Sequence, residues 1–403
     1  MSVADAPAAS PAVSGISRTT TVIFAVAAGI AVANIYYLQP ILAIIATDLH
    51  ASPRTVGFVS MALQVGYALG ILAFVPLGDI VQRRGLIVGL FGVAAVCLAC
   101  AAAASNVTLL ALAICAVGIA TTAPQILQPF AADLALPRER GRVVGAVQIG
   151  LIGGTVFARA VSGLLGAYAG WRAVFVFAAV FSALSALVLA RVIPLRDSPL
   201  RLRYRHLIAS MPGLVRAHPV LRVSMAMGFI VFAMFTGIWT ILAFHVRDLG
   251  YGSDVVGYVG LISIVGVLTA GRVGSLSDRR GTLVTGTIGW LVSTLAFVTF
   301  ALVGNTLVGL TVGMAIFALG VQATQISNQV RIFGISDDAR SRLNTIFVFS
   351  TYAGGAYGSF VCAWVFQEAG WLGVCLTCLA HMVLMGVVLL WFRSVQLKAA
   401  AVA

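Results

Sequence analysis

The chain has 403 residues, of which 61% are hydrophobic and only 9% charged, with a formal net charge of +13. A soluble protein of this size needs roughly 25% charge to cover its surface, so water is excluded as its main solvent. Apolar runs without period-2 alternation favour spanning helices over a membrane β-barrel.

From the N-terminus, residues 1–18 are rich in Ala, Ser and Pro and read as a cytoplasmic tail. Arg18 then precedes a long apolar run that reads as an uncleaved first helix. Each crossing needs about 20 apolar residues. The predicted spans are 19–46, 54–78, 85–104, 107–133, 143–168 and 172–192, then 222–247, 255–275, 283–303, 307–331, 343–368 and 372–393. Residues 193–221 form the one long polar stretch, read as a cytoplasmic linker with an interfacial helix, and 394–403 form a C-terminal tail. The expected domains are therefore two six-helix halves, 19–192 and 222–393.

With the polar breaks as loops, every Lys and Arg but four falls on one side of the membrane. Arg54, Arg172 and Arg247 lie on the other, and Arg159 is inside a span. This bias is the positive-inside pattern, and it predicts both termini in the cytoplasm of a bacterial inner-membrane protein. It also accounts for the net charge without a nucleic-acid partner. Trp171 and Trp371 at matching outer turns, and Trp391 at an inner end, are expected at the membrane–water interface.

The two halves repeat at an offset of 200 residues. Val56, Gly57 and Gly66 match Val256, Gly257 and Gly266, and Arg140, Arg142, Gly154, Gly170 and Trp171 match Arg340, Arg342, Gly354, Gly370 and Trp371. A tandem apolar repeat fits a transporter whose halves rock about a site between them. Small residues four apart, as at Gly66/Gly70, Gly150/Gly154 and Gly354/Gly358, allow close helix crossings.

Polar residues inside the spans are the candidates for lining a pathway. Gln125 and Gln128 on the fourth span match Gln325 and Asn328 on the tenth, two amide ladders that can both donate and accept. Asn34, Tyr37 and Gln39 on the first span, Gln64 on the second, Gln148 on the fifth, Trp239 on the seventh and Tyr352 on the eleventh extend the candidate wall. Packing or helix–helix hydrogen bonding is the competing reading for each. Arg159, on a stripe with Gln148, Thr155 and Ser162, has no acid at similar depth. It reads as a ligand for an anionic group on the cargo or as a bond to kinked-helix carbonyls. His381 titrates during transport or is satisfied by a neighbour. The six cysteines lie in apolar runs without flanking metal-ligand spacing and read as buried small side chains. No cofactor, metal or catalytic constellation is expected, and the chain does not read as an enzyme.

Asp79-Ile-Val-Gln-Arg83-Arg84-Gly85 closes the second span, and Gly274-Ser-Leu-Ser-Asp278-Arg279-Arg280-Gly281 closes the eighth. The chain here resembles the major facilitator superfamily, with the signature G-x-x-x-D-R-x-G-R-R after the second helix. The resemblance covers span count, repeat, central loop and doubled motif. It implies an all-α membrane fold of twelve helices in two pseudo-symmetric six-helix bundles, alternating access, and a latch that holds the outward-open state. Asp79, Arg83 and Asp133 are the implied latch, with Asp278 and Arg279 in the second copy. Asn34-Ile-Tyr36-Tyr37-Leu-Gln39-Pro40 resembles bacterial small-molecule and drug efflux members. Two marks of the drug–proton antiporters, a Gly-Pro signature in the fifth helix and an Arg in the fourth, are absent. The leading expectation is export of a small organic molecule by a monomer in the bilayer, with protons as a candidate coupling ion. An importer or facilitator of a small organic anion using Arg159, and a transporter-like membrane sensor, are the alternatives.

Overall fold

The computed structural model describes residues 16–78, 80–194, 204–336 and 339–402; side chains of residue 206 and of 395–402 lie outside the description. Asp79, most of the N-terminal tail, and Arg196, Arg201 and Arg203 of the linker fall outside the described residues. The described residues form thirteen helices and no strand. In order they are α1 (Arg18–Tyr36), α2 (Leu38–Asp48), α3 (Pro53–Leu77), α4 (Arg83–Ala102), α5 (Val107–Ala120), α6 (Ala123–Leu134) and α7 (Arg140–Val192). After these come α8 (Tyr204–Ala217), α9 (Pro219–Asp248), α10 (Ser253–Leu261), α11 (Ile264–Val303), α12 (Leu307–Phe333) and α13 (Arg340–Val402).

Breaks and caps follow from particular residues. The first span is α1 and α2 with a turn at Tyr37, three residues before Pro40, which has no N–H to donate to the preceding turn. Ser162 covers the break by donating its hydroxyl to the Tyr37 carbonyl. The fourth span breaks similarly at Thr121 and Thr122, before Pro124. Ser52, Asn106 and Thr306 cap α3, α5 and α12 by accepting from backbone N–H groups at 3.2, 2.9 and 3.1 Å.

Nine helical runs among the described residues are long and apolar enough to cross a membrane. Gly170 (φ 79°), Gly281 (φ 83°) and Gly370 (φ 63°) interrupt α7, α11 and α13 and divide each into two segments. Only glycine takes this left-handed conformation at little steric cost. The tryptophans after two of these corners are buried, not spread at the interface: Trp171 is 2% and Trp371 7% exposed. Their indoles donate to Asp48 Oδ2 and to the Phe300 carbonyl, each at 3.0 Å, and so pin neighbouring turns. Trp391 is 41% exposed.

The segments pack as two bundles. In the first, Gly150 and Gly154 of α7 meet the α1 backbone at Ala25 and Gly29, and Gly66 and Gly70 of α3 meet α5 at Cys115 and Ile119. In the second, Gly354 and Gly358 of α13 meet α9 at Phe229 and Ala233. The linker helix α8 touches both bundles. The Tyr204 hydroxyl donates to the Ala73 carbonyl of α3 (3.1 Å), and Ser210 accepts from Arg342 of α13 (3.0 Å). Met211 is buried against Leu221, Ile332 and Leu343.

One basic residue departs from the topological reading. Arg331, expected in the charged loop set, is buried inside the second bundle. Its guanidinium donates to the Thr282 carbonyl (2.7 Å), Ser327 (2.8 Å) and Asn328 (3.2 Å), and lies 4.3 Å from the Phe392 ring.

The bundles meet most tightly toward the end that carries Arg54, Arg172 and Arg247. There α3 crosses α13, with Gly57 against Ala363, and α7 crosses α10, with Gly163 against Ser253 and Gly257. At the arginine-rich end a cleft of about 580 Å³ is lined from both bundles, including Gln125, Gln128, Arg83, Phe333, Arg340 and Asn344.

Candidate functional site

The two crossings are copies at the 200-residue offset. Gly57 and Ala363 on one correspond to Gly257 and Gly163 on the other; Ser60 and Ser359 correspond to Gly260 and Arg159. At the α3–α13 crossing, Ser60 shares a hydrogen bond with Thr240 (2.8 Å) and reaches Ser359 (3.3 Å), and Thr240 donates to Ser359 (3.2 Å). At the α7–α10 crossing the space left by Gly260 is occupied by the stem of Arg159.

Arg159 is 0% exposed. It lies eleven residues before the Gly170 corner, roughly 16 Å at the α-helical rise and so about midway through a bilayer core. Its Nε donates to Gln39 Oε1 (2.9 Å) and its Nη1 to the Thr155 carbonyl (3.2 Å). The guanidinium sits 4.0 Å from the Trp239 ring centroid, 4.4 Å from Tyr36 and 5.6 Å from Phe235. Such cation–π contacts strengthen when water is excluded. Gln39 and Trp239 are themselves repeat mates, so the two bundles hold the cation from symmetry-related positions. Nη2 of Arg159 is buried without a hydrogen-bond partner. The acids among the described residues, Asp48, Asp133, Glu139, Asp248, Asp254, Asp278 and Glu368, all stand at helix ends or corners. No carboxylate of this set neutralises the charge.

A row of aromatic side chains runs from Arg159 toward the cleft. Tyr352 meets both Tyr36 and Tyr67 through their hydroxyls, and its ring is 4.2 Å from that of Tyr67. Gln125, on the cleft wall, donates to the Tyr67 hydroxyl (3.3 Å). Phe232 packs between Tyr352 (4.7 Å) and Phe235 (5.6 Å). Gln64 lies close to Gly355, itself beside Phe232. Gln64 Oε1 and Trp239 Nε1 are also buried without partners. An unmatched buried polar atom costs about 1–3 kcal/mol. Other atoms, among them Arg331 Nε and Asn328 Nδ2 inside the second bundle, are unmatched too; Arg159 Nη2, Gln64 Oε1 and Trp239 Nε1 fall where the bundles meet.

Of the candidates read from sequence, Gln39, Gln64, Arg159, Trp239 and Tyr352 come together here. Gln125 and Gln128 line the cleft, where Gln128 donates to Gln148 (3.0 Å). Gln325 is half-buried on α12. Three candidates point elsewhere. Asn34 donates to Ser182 (3.1 Å) inside the first bundle. Tyr37 packs edge-on against Phe177 and lines a lipid-side crevice. Asn328 is drawn away to Arg331, so the second amide ladder is not a mirror of the first. Tyr36 was not among the sequence candidates, although its spacing of three from Gln39 places both on one helical face. His381 is satisfied by Tyr357 (3.0 Å) and the Thr377 carbonyl (2.8 Å).

A profile described as Major Facilitator Superfamily matches residues 24–333. The chain belongs to the major facilitator superfamily. It is 36% identical over 388 residues to an uncharacterized transporter, YgaY, of Escherichia coli O157:H7, covering 96% of this chain and 98% of that one. It is 33% identical over 365 residues to the probable transporter SCO4007 of Streptomyces coelicolor, covering 90% and 85% respectively. Among solved structures, a bacterial homolog of the human lysosomal transporter Spinster, inward-facing and occupied, superposes with a TM-score of 0.74 at 14% identity. That match covers 93% of this chain and 96% of the other. The protein is thus a multi-pass membrane transporter of this superfamily, with the two-bundle fold.

Within that fold the loop motif is distributed unevenly. Arg83 donates to Asp133 Oδ2 at 2.6 Å and to the Gly78 carbonyl at 2.9 Å, tying α4 to α6 inside the first bundle. Asp79 lies outside the described residues. Asp278 and Arg279, the second copy, are exposed at the end of the eighth span.

Proposed function

We propose that the protein is a secondary transporter exporting a small organic molecule from the cytoplasm by alternating access. Residues 19–192 and 222–393 act as the moving units and 193–221 as their tether. The arginine-rich end faces the cytoplasm of the bacterial inner membrane, both termini lie there, and the monomer is the working unit. Excess positive charge on that side supports the orientation. The loop motif around Asp79, Arg83, Asp133, Asp278 and Arg279 acts as the latch that steadies one state. No catalytic step is part of this reading.

One observation carries it. Buried polar atoms without partners, Arg159 Nη2, Gln64 Oε1 and Trp239 Nε1, come from both bundles at the contact that must part and re-form during rocking. At the matching α3–α13 crossing, by contrast, Ser60, Thr240 and Ser359 bond one another. Gln125 and Gln128 in the cleft supply the first polar surface that cargo meets.

Protons are the candidate coupling ion. The test is flux from proteoliposomes preloaded with a panel of small organic compounds, with and without a pH gradient. Saturable, protein-dependent efflux of at least one compound is expected. A panel without any saturable flux overturns transport, and flux indifferent to the gradient removes the proton.

A further inference from the structure

We propose that the cargo is an organic carboxylate with an aromatic or apolar body and a hydroxyl or amino hydrogen to donate. The carboxylate binds Arg159 Nη2 and Trp239 Nε1, the body lies along Phe232, Phe235 and Tyr352, and the donor meets Gln64 Oε1. This rests on the transport reading above and gives it a substrate class.

The argument begins with charge. A guanidinium stays protonated, and at mid-bilayer it needs an anion, carbonyls or water around it. Two hydrogen bonds and three aromatic faces lower its cost, but none of these contacts carries a negative charge. Water in the unmatched position would satisfy Nη2 without neutralising it. An anionic oxygen does both, and charge-assisted bonds are roughly twice as strong as neutral ones.

The donors are paired. The guanidinium lies 4.0 Å from the Trp239 ring, whose Nε1 is likewise unmatched. Two unmatched N–H donors on stacked groups offer one bond to each oxygen of a carboxylate. Nε and Nη1 are already committed to Gln39 and Thr155, so the remaining valence is directional.

The other end has the opposite polarity. Gln64 Oε1 is an acceptor in need of a hydrogen. It is separated from Arg159 by a continuous aromatic wall, Phe235 to Phe232 to Tyr352. Fixed polarity at two ends of an apolar wall is how compact sites orient a ligand. The site is closed in this conformation, and the Tyr67–Tyr352 contact lies between it and the cleft. Cargo therefore enters as those rings separate.

Three probes dissect the arrangement on the full-length protein in nanodiscs and proteoliposomes: 3-phenyllactate, its carboxamide, and 3-phenylpropionate. Indolyl and isobutyl analogues of each extend the set. Binding is read by ligand-induced shift of the melting temperature, and transport by counterflow. For at least one body, the wild type should bind the hydroxy acid at least roughly tenfold more tightly than its amide, a difference of about 1.4 kcal/mol. Arg159→Gln should erase the acid–amide difference, and Arg159→Lys should keep part of it. Gln64→Leu should erase the preference for phenyllactate over phenylpropionate while leaving the acid–amide difference intact. A merely structural Arg159 would lower the melting temperature in both variants without changing selectivity.

The wild-type comparison needs no variant, so a misfolded Arg159→Gln does not block the test. Equal binding of acids and amides by the wild type overturns the proposal, as does an acid preference that survives Arg159→Gln. If no acid or amide in the set binds while other compounds in the efflux panel move, the substrate class is wrong and transport stands. If nothing moves in either experiment, the transport reading falls first.

Discussion

The α3–α13 and α7–α10 crossings stand at matched positions of the repeat and differ in chemistry. In the first, Ser60, Thr240 and Ser359 close a hydroxyl cluster in which each oxygen finds a partner. In the second, Gly260 yields its space to Arg159, whose guanidinium keeps one nitrogen unmatched. Duplication supplied one geometry twice. Among the matched differences, Ser60/Ser359 against Gly260/Arg159 leaves bonded hydroxyls at one crossing and a buried guanidinium at the other. At the first every hydroxyl is bonded, whereas at the second Nη2 of Arg159 is not.

Exchanging that pair is the severest test of the contrast. Gly260→Ser alone should destabilise strongly, since its Cβ would lie 2.7 Å from the Arg159 Cβ. Arg159→Ser alone should abolish anion transport. The double variant Arg159→Ser with Gly260→Ser should recover stability, because it rebuilds the mate's small hydroxyl pair, and should remain inactive. Melting temperatures of all four proteins should give a coupling of about 1–3 kcal/mol. Additive losses would mean that the two crossings are not equivalent frames.

A bulky residue at either crossing should hold the bundles apart. Gly163→Val places a side chain against the Ser253 carbonyl and the Gly257 backbone. Overpacking of this kind costs about 1–3 kcal/mol, which is roughly a 5- to 150-fold shift of a conformational equilibrium. Accessibility labelling of a cysteine introduced at Ser253 should rise from the Arg54 side, and flux should fall. Unchanged labelling would show that the crossing does not open there.

Removing a hydroxyl from the seal should do less. Ser60→Ala leaves Thr240 and Ser359 bonded to each other, so about 0.5–1.5 kcal/mol is at stake. Flux should change by less than roughly tenfold and substrate preference not at all. A change in preference would place cargo at the α3–α13 crossing too, and the contrast would dissolve.

The smallest effect is expected far from both crossings. Asp133, 57% exposed, pairs with Arg83 at 2.6 Å within one bundle. Exposed pairs contribute about 0–1 kcal/mol. Asp133→Asn should therefore slow transport by only a few-fold, through the motif's hold on α4 and α6. A total loss of flux with normal folding would give the loop motif a role greater than that of the crossings.

The span boundaries, the repeat and the arrival of Arg159 inside a helix were all legible in the chain, because lipid leaves little freedom in where a charge or an apolar run can go. The faces were less legible. Tyr37 and Asn34 were assigned to the pathway, while Tyr36 faces Arg159. Asn34 is taken by Ser182 of its own bundle and Tyr37 packs on Phe177, so polar type and depth alone did not say which face met the other bundle. Asn328 was read as the mate of Gln128, yet Arg331 is only three residues on and claims it. Spacing allowed that pair to be seen, but the side-counting of charges had placed Arg331 in a loop.

By itself the sequence determined the lipid solvent, the helical class, the duplicated architecture and the interior position of Arg159. These follow from composition and periodicity, which act locally and survive any packing. Only the tertiary structure decided which polar atoms meet and which stay unmatched. That Gln39 and Trp239 close on one guanidinium from two halves, with Gln64 at the far end of an aromatic wall, depends on contacts between residues tens to hundreds of positions apart. Such contacts are set by how glycine-lined helices cross, and no local pattern encodes the angle at which they do so.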